Sequence, residues 1–178
     1  ALLNQGFDVI DIKLNRKKEL DSLDILVISE PLEAFSKEEI NILCRYIDSG
    51  KNLILAGKPK THTYLYPLME HLGLRFEPGI LVQSQIDEYP RNLLLCRVTE
   101  AGKDISRLWE NLYRMTNTGS RPRNLVMPMA SAIEKIEDKG YRNTPLVESR
   151  DSITWNELET SDFINDTVRL NETAGEQP

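Results

Sequence analysis

Between residues 24 and 57 the chain writes out a strand, a capped helix and a second strand, and this unit constrains the fold more than any other stretch. Residues 24–29 are a short apolar, partly β-branched run that Glu30-Pro31 brings to a stop. Ser36 with Glu39 three residues on has the spacing of a reciprocal capping pair, which satisfies unbonded backbone donors at a helix start. Ile40, Leu43, Cys44 and Ile47 then recur at helical spacing, and Gly50 stands where a left-handed residue commonly ends a helix. Residues 52–56 form the next apolar run. Two buried strands joined by a helix of this length call for parallel pairing and a right-handed crossover. Gly57-Lys58-Pro59-Lys60 follows, with no Ser or Cys at the bend where a nucleophile would sit.

The 178 residues suffice for one well-buried α/β domain with a small appendage, expected here as a single domain over 1–155 and a polar extension over 156–178. A formal charge of -6 argues against a general nucleic-acid binder, which needs a basic surface to displace counterions. Arg107, Arg114, Arg121 and Arg123 would still give a local basic patch. Two cysteines, Cys44 on an apolar helical stripe and Cys96 after three leucines, read as packing residues rather than a disulfide framework or a metal cluster. Neither a signal peptide nor an apolar run of about 18 residues is present. The chain opens at Ala1 in what reads as the end of a helix, so an N-terminally truncated fragment of a longer protein is expected.

Elsewhere the periodicity predicts a half-exposed strand at 7–12, a solvated turn or short helix at 14–20, and a helix at 62–72 with Leu65, Leu68, Met69 and Leu72 facing a core. Strands are expected at 80–82, 92–98, 124–128 and 144–149, with a turn or strand at 131–135. Residues 101–115 read as a helix whose Ile105, Leu108, Leu112 and Met115 face inward. Residues 116–123 read as a loop, and 171–178 as a loose tail.

Open α/β sheets place ligands beyond the carboxyl ends of their strands. Those ends deliver Glu30 from the first strand and Lys58 and Lys60 from the second, with His62 close behind, and these four form the candidate ligand-binding crevice. A Glu opposite a Lys and a His has the makings of an acid/base pair, although charges at such loops more often serve solubility. No catalytic residue is assigned. His71 near a helix end suits the C-terminal dipole better than a metal, and with two His, two Cys and no HxxxH or CxxC spacing a zinc site is not expected. Gly57-Lys58 lacks the glycine-rich run of a phosphate loop, and no GxGxxG follows a strand. No cofactor is expected. Trp109 and Trp155 read as half-buried packing residues rather than stacking platforms.

The order of these segments resembles a known family. Phe7-Asp8-Val9, then residues 24–31, Phe35-Ser36-Lys37-Glu38-Glu39 and the run from Tyr46 to Leu55 are similar to the extracytoplasmic domain of GldG-type auxiliary proteins of ABC transport systems, known from a gliding-motility transporter. Met69-Glu70-His71-Leu72-Gly73-Leu74 with Pro78-Gly79, the run from Asn124 to Ile133, and residues 144–149 with Ser152 and Trp155 extend the likeness over about Phe7 to Trp155. Ser49-Gly50-Lys51 departs from it, since many relatives carry Gly-Gly there. The resemblance implies a flavodoxin-like or class I glutamine amidotransferase-like parallel sheet with flanking helices, without the amidotransferase cysteine. It implies a non-catalytic, membrane-associated periplasmic domain on the extracytoplasmic face of the cytoplasmic membrane. Its partners would be an ABC permease and ATPase, with other cell-envelope proteins besides, and ATP hydrolysis would belong to the partner. The alternatives are an amidotransferase-like hydrolase working through Glu30, Lys58 or His62, and a small-ligand or sugar sensor using the same crevice.

Overall fold

A computed structural model of the chain describes residues 6–14, 20–59, 62–84, 90–120, 122–150, 154–159, 163 and 168–178. The chain divides into two compact units, one made of Ala1–Gly57 with Thr61–His71, the other of Lys58–Lys60 with Leu72–Pro178.

The first unit is built on the strand–helix–strand segment. Strand β1 (Ile25–Ser29) and strand β2 (Asn52–Ala56) pair in parallel, Val27 opposite Ile54, with helix α1 (Lys37–Asp48) as the crossover. Ser36 caps α1 as its spacing predicts: its Oγ accepts from the Glu39 N–H, while the Glu39 carboxylate accepts from the Ser36 N–H at 2.8 Å. Those bonds hold the Glu39 carboxyl below the usual carboxylate range. One face of the two-stranded sheet meets α1, and Leu26, Leu43, Tyr46 and Leu68 form a core with Leu53 and Leu55 packed against it. The Tyr46 hydroxyl donates to Asn52 O at 3.2 Å and ties the helix to the start of β2. After β2, a 3-10 turn (His62–Leu65) leads into helix α2 (Tyr66–His71), whose His71 Nε2 lies 2.7 Å from the Asp48 carboxylate at the end of α1.

The second unit is antiparallel throughout its described strands. β3 (Leu74–Phe76) pairs with β7 (Ile133–Lys135), and β4 (Ile80–Gln83) pairs with β9 (Thr154–Glu157). β5 (Leu93–Val98) lies between β6 (Leu125–Pro128) and β8 (Val147–Ser149). Gln83, 1% exposed, joins β4 to β5 through its side chain: Nε2 donates to Leu93 O and Oε1 accepts from the Leu95 N–H, both at 3.0 Å. Val82, Trp155, Phe163 and Val168 make a second apolar core. Gly73, at φ +73°, sits so close to Glu137 that a Cβ would lie 2.3 Å from its carbonyl oxygen, which fixes a glycine at the entry to β3.

This layout overturns the expectation of a flavodoxin-like or class I glutamine amidotransferase-like parallel sheet. Parallel pairing is confined to β1 and β2; every other described ladder is antiparallel. A parallel sheet needs a crossover between each pair of strands, yet β3 and β4 are separated by three residues at a Pro-Gly turn. Helix α3 (Arg107–Asn117) does stand between β5 and β6, but the Arg123 N–H donates to Met115 O and folds the following loop back along the helix. The chain therefore re-enters at the end of β5 it had just left, with Leu125 opposite Cys96, and runs antiparallel.

Three local expectations also change. Residues 7–13 carry no regular secondary structure, because a strand exists only where another backbone pairs with it. The stripe expected to face the core in α3 points outward: Ile105, Leu108 and Met115 are 51%, 66% and 43% exposed. The buried side of α3 instead carries Thr116, whose Oγ accepts from the Val98 N–H, and Asn117, whose Nδ2 donates to Val98 O. Satisfying the backbone at the end of β5 outweighs burying that apolar stripe. The tail is not loose, since Gln177 exchanges hydrogen bonds with Asn156 and the buried Glu176 carboxylate accepts from the Leu158 and Asn171 N–H groups.

Candidate functional site

The four residues expected at the strand ends fall into different settings. Glu30 directly follows β1, is exposed at φ +48°, and donates its N–H to Ala56 O at 2.9 Å. His62 is buried at 3% exposure; its Nε2 lies 3.1 Å from the Tyr66 hydroxyl, and the two rings stack with centroids 5.5 Å apart. Burial pushes the His62 imidazole below its ordinary value, so it stays neutral at pH 7. A Cβ on Gly57 would stand 3.0 Å from the His62 Cβ, so the bend after β2 is closed by packing rather than opened toward a ligand. Lys58 is exposed and belongs to the second unit, and Lys60 lies outside the described residues.

The thiols fit the packing role read from their positions. Burial raises both above the ordinary thiol value, with Asp48 adding to the effect at Cys44, and a thiolate held back in this way is a poor nucleophile. Among the described residues no group of three or more His, Cys, Asp or Glu side chains is placed to hold a metal ion. Of the arginines considered for a basic patch, Arg114 pairs with Glu110 at 2.5 Å and Arg121 lies outside the described residues.

A feature that strand-end reasoning misses lies on the far face of β1 and β2. Strand alternation sends Leu26 and Ile28 toward α1 and leaves Ile25, Val27 and, on β2, Ile54 on the opposite face, where they are 39%, 47% and 51% exposed. Residues 7–12 border this face, and Phe7, Val9 and Ile10 are also about half exposed. Together they enclose a groove of about 800 Å3 that lies wholly within the first unit. Parallel sheets are ordinarily covered on both faces, so a bare apolar face on a parallel pair is unusual. The signal was present in the alternation of 7–12 and 24–29, but not which face would be left open.

The edge of β1 is open as well. No strand other than β2 pairs with it among the described residues. The Glu30 N–H points to β2, so by alternation the Leu26 and Ile28 amides do too, and those of Val27 and Ser29 face the open edge. Four carboxylates, from Asp8, Asp11, Glu33 and Glu39, line the groove, and no Lys or Arg does so among the described residues.

No family model matches the chain, and no curated protein matches it either. Among solved structures it is similar to the mmIFT52 N-terminal domain, with a TM-score of 0.53 and 16% identity over 80% of this chain. The chain spans 58% of the length of that structure. At that identity the likeness concerns fold alone. It goes with the mixed layout described above, not with a flavodoxin-like sheet.

Proposed function

We propose that the chain is a non-catalytic recognition domain that engages a partner protein through the groove of its first unit. The observation that carries this reading is the open apolar face of a parallel strand pair, bordered by an unpaired strand edge. Apolar area of this kind gains free energy when a partner excludes water from it. The strand ends support the same reading: His62 is buried and stacked on Tyr66, and both thiols are held protonated. The specific setting, an extracytoplasmic component working with an ABC permease and ATPase, rests on the resemblance of segment order to GldG-type proteins. The described helices include none long and apolar enough to cross a membrane.

Photo-crosslinking in cells that carry the natural chain tests the proposal. A photoreactive residue at Val27 or Ile54 is expected to capture a transporter subunit, whereas one at Leu108, exposed in the second unit, is not. Equal capture at all three positions, or none at Val27 and Ile54, would remove the groove as the recognition surface. A small-ligand sensor is the second reading, favoured by a groove volume inside the range of about 300–1,000 Å3 typical of ligand sites. Its apolar floor suits a hydrophobic molecule better than a sugar. A thermal-shift screen separates the two, since a ligand at about 100 times its dissociation constant stabilises the fold by about 2.7 kcal/mol.

A further inference from the structure

We infer that the groove accepts an extended, basic segment of a partner polypeptide, which pairs along the open edge of β1 as an added strand. The inference rests on the recognition reading and adds the conformation and charge of what is bound.

The edge itself sets the conformation. The Val27 and Ser29 amides face away from β2, and only an extended backbone presents acceptors at the repeat that such an edge requires. A docked helix uses its own backbone groups internally and would leave these unmet. Alternation supports the same choice. On an added strand every second side chain lands on the face that Ile25, Val27 and Ile54 leave bare, and the intervening ones point away from it. Charge then selects among extended segments. The Glu39 carboxylate is already engaged by Ser36, but Asp8, Asp11 and Glu33 are exposed along the groove. Lys or Arg at the intervening positions meets these carboxylates, whereas an acidic segment is repelled over about 8–10 Å at ordinary ionic strength.

Four blocked nine-residue peptides offered to the full chain test the inference. One alternates Val with Lys, the second alternates Val with Glu, the third arranges Leu and Lys at helical period, and the fourth is the Val/Lys peptide N-methylated at alternate amides. Binding is read by fluorescence anisotropy, and pairing by hydrogen exchange at the Val27 and Ser29 amides. The Val/Lys peptide is expected to bind about tenfold more tightly than the Val/Glu peptide, and the triple variant Asp8→Asn, Asp11→Asn, Glu33→Gln should erase that preference. N-methylation is expected to weaken binding about tenfold, the loss of one or two net backbone hydrogen bonds. Val27 and Ser29 should become protected, and Val27→Lys should weaken binding while the free protein keeps its melting temperature.

Tighter binding of the Val/Glu or helical peptide, or binding without protection of Val27 and Ser29, would overturn strand addition. So would absence of Val/Lys binding up to about 1 mM, a level at which even weak peptide ligands register. If any of these occurs while photo-crosslinks at Val27 persist, recognition through the groove stands and only the strand mode fails. Loss of the crosslinks as well removes both.

Discussion

The two units of this chain are stabilised by contacts of different reach. In the first, β1 and β2 lie 27 residues apart in register and α1 fills the interval, so strand, cap, helix and strand follow one another along the chain. In the second, β3 meets β7 across 59 residues, Arg75 opposite Glu134, and β4 meets β9 with Ile80 opposite Glu157. A second contrast runs alongside. The first unit leaves a sheet face and a strand edge open, whereas the second spends side chains on closing such gaps, Gln83 between β4 and β5 and Thr116 and Asn117 at the end of β5. Local connectivity specifies a strand pair, but it takes distant segments to cover one.

The strongest way to break the contrast is to hollow each core in turn. Leu43→Ala and Leu94→Ala, at 0% and 2% exposed positions, should each cost about 2–5 kcal/mol by chemical denaturation. Under hydrogen exchange Leu43→Ala should deprotect β1 and β2 most, and Leu94→Ala the β5 amides; uniform deprotection by either would mean that the division is not energetic. Next in size, Gln83→Ala leaves the buried Leu95 N–H without its acceptor and should destabilise by about 1–3 kcal/mol, seen as faster exchange at Leu95. An unchanged Leu95 rate would show that the side chain is not what holds β4 to β5.

Ser36→Ala should cost about 1 kcal/mol and act locally on α1, as expected of a unit organised by neighbours in sequence. Acidification sharpens the same point. The folded-state values of Glu39 and His62 both lie below their ordinary ones, so the unfolded chain takes up these protons first. The stability each contributes is complete above its ordinary value, near 4.5 for the carboxyl and 6.5 for the imidazole, and is lost as pH falls through the folded-state value. His62→Gln should flatten the upper part of the acid limb and Glu39→Gln the lower part in a melting-temperature series. The smallest effect is expected at Val27→Lys, within about 0.5 kcal/mol of the parent because the side chain is already half exposed. A loss of several kcal/mol there would mean that the open face is part of a core.

The strand–helix–strand unit was legible because its signals are short in range. Ser36 and Glu39 announce a helix start, Gly50 its end, and the flanking apolar runs name the strands. The stripe Ile105, Leu108, Leu112 and Met115 was legible only as a period. Its outward direction depends on Thr116 and Asn117 finding Val98, a partner that no local pattern names. Likewise the alternation of residues 7–12 is real, but strand formation needs a neighbour that the described residues do not supply. Of the candidate site, Glu30 and His62 were placed correctly at strand ends, yet burial and stacking set His62 apart from any crevice chemistry.

By itself the sequence determined the parallel pairing of β1 and β2, the capped helix between them and the packing role of the two cysteines, because each follows from periodicity and capping within a few turns of chain. Tertiary structure decided that the remaining ladders run antiparallel, that α3 turns its apolar stripe outward, and that the far face of β1 stays bare. Those outcomes depend on which distant backbone satisfies which edge, and hydrogen-bond partners scores of residues apart leave no periodic mark on either segment.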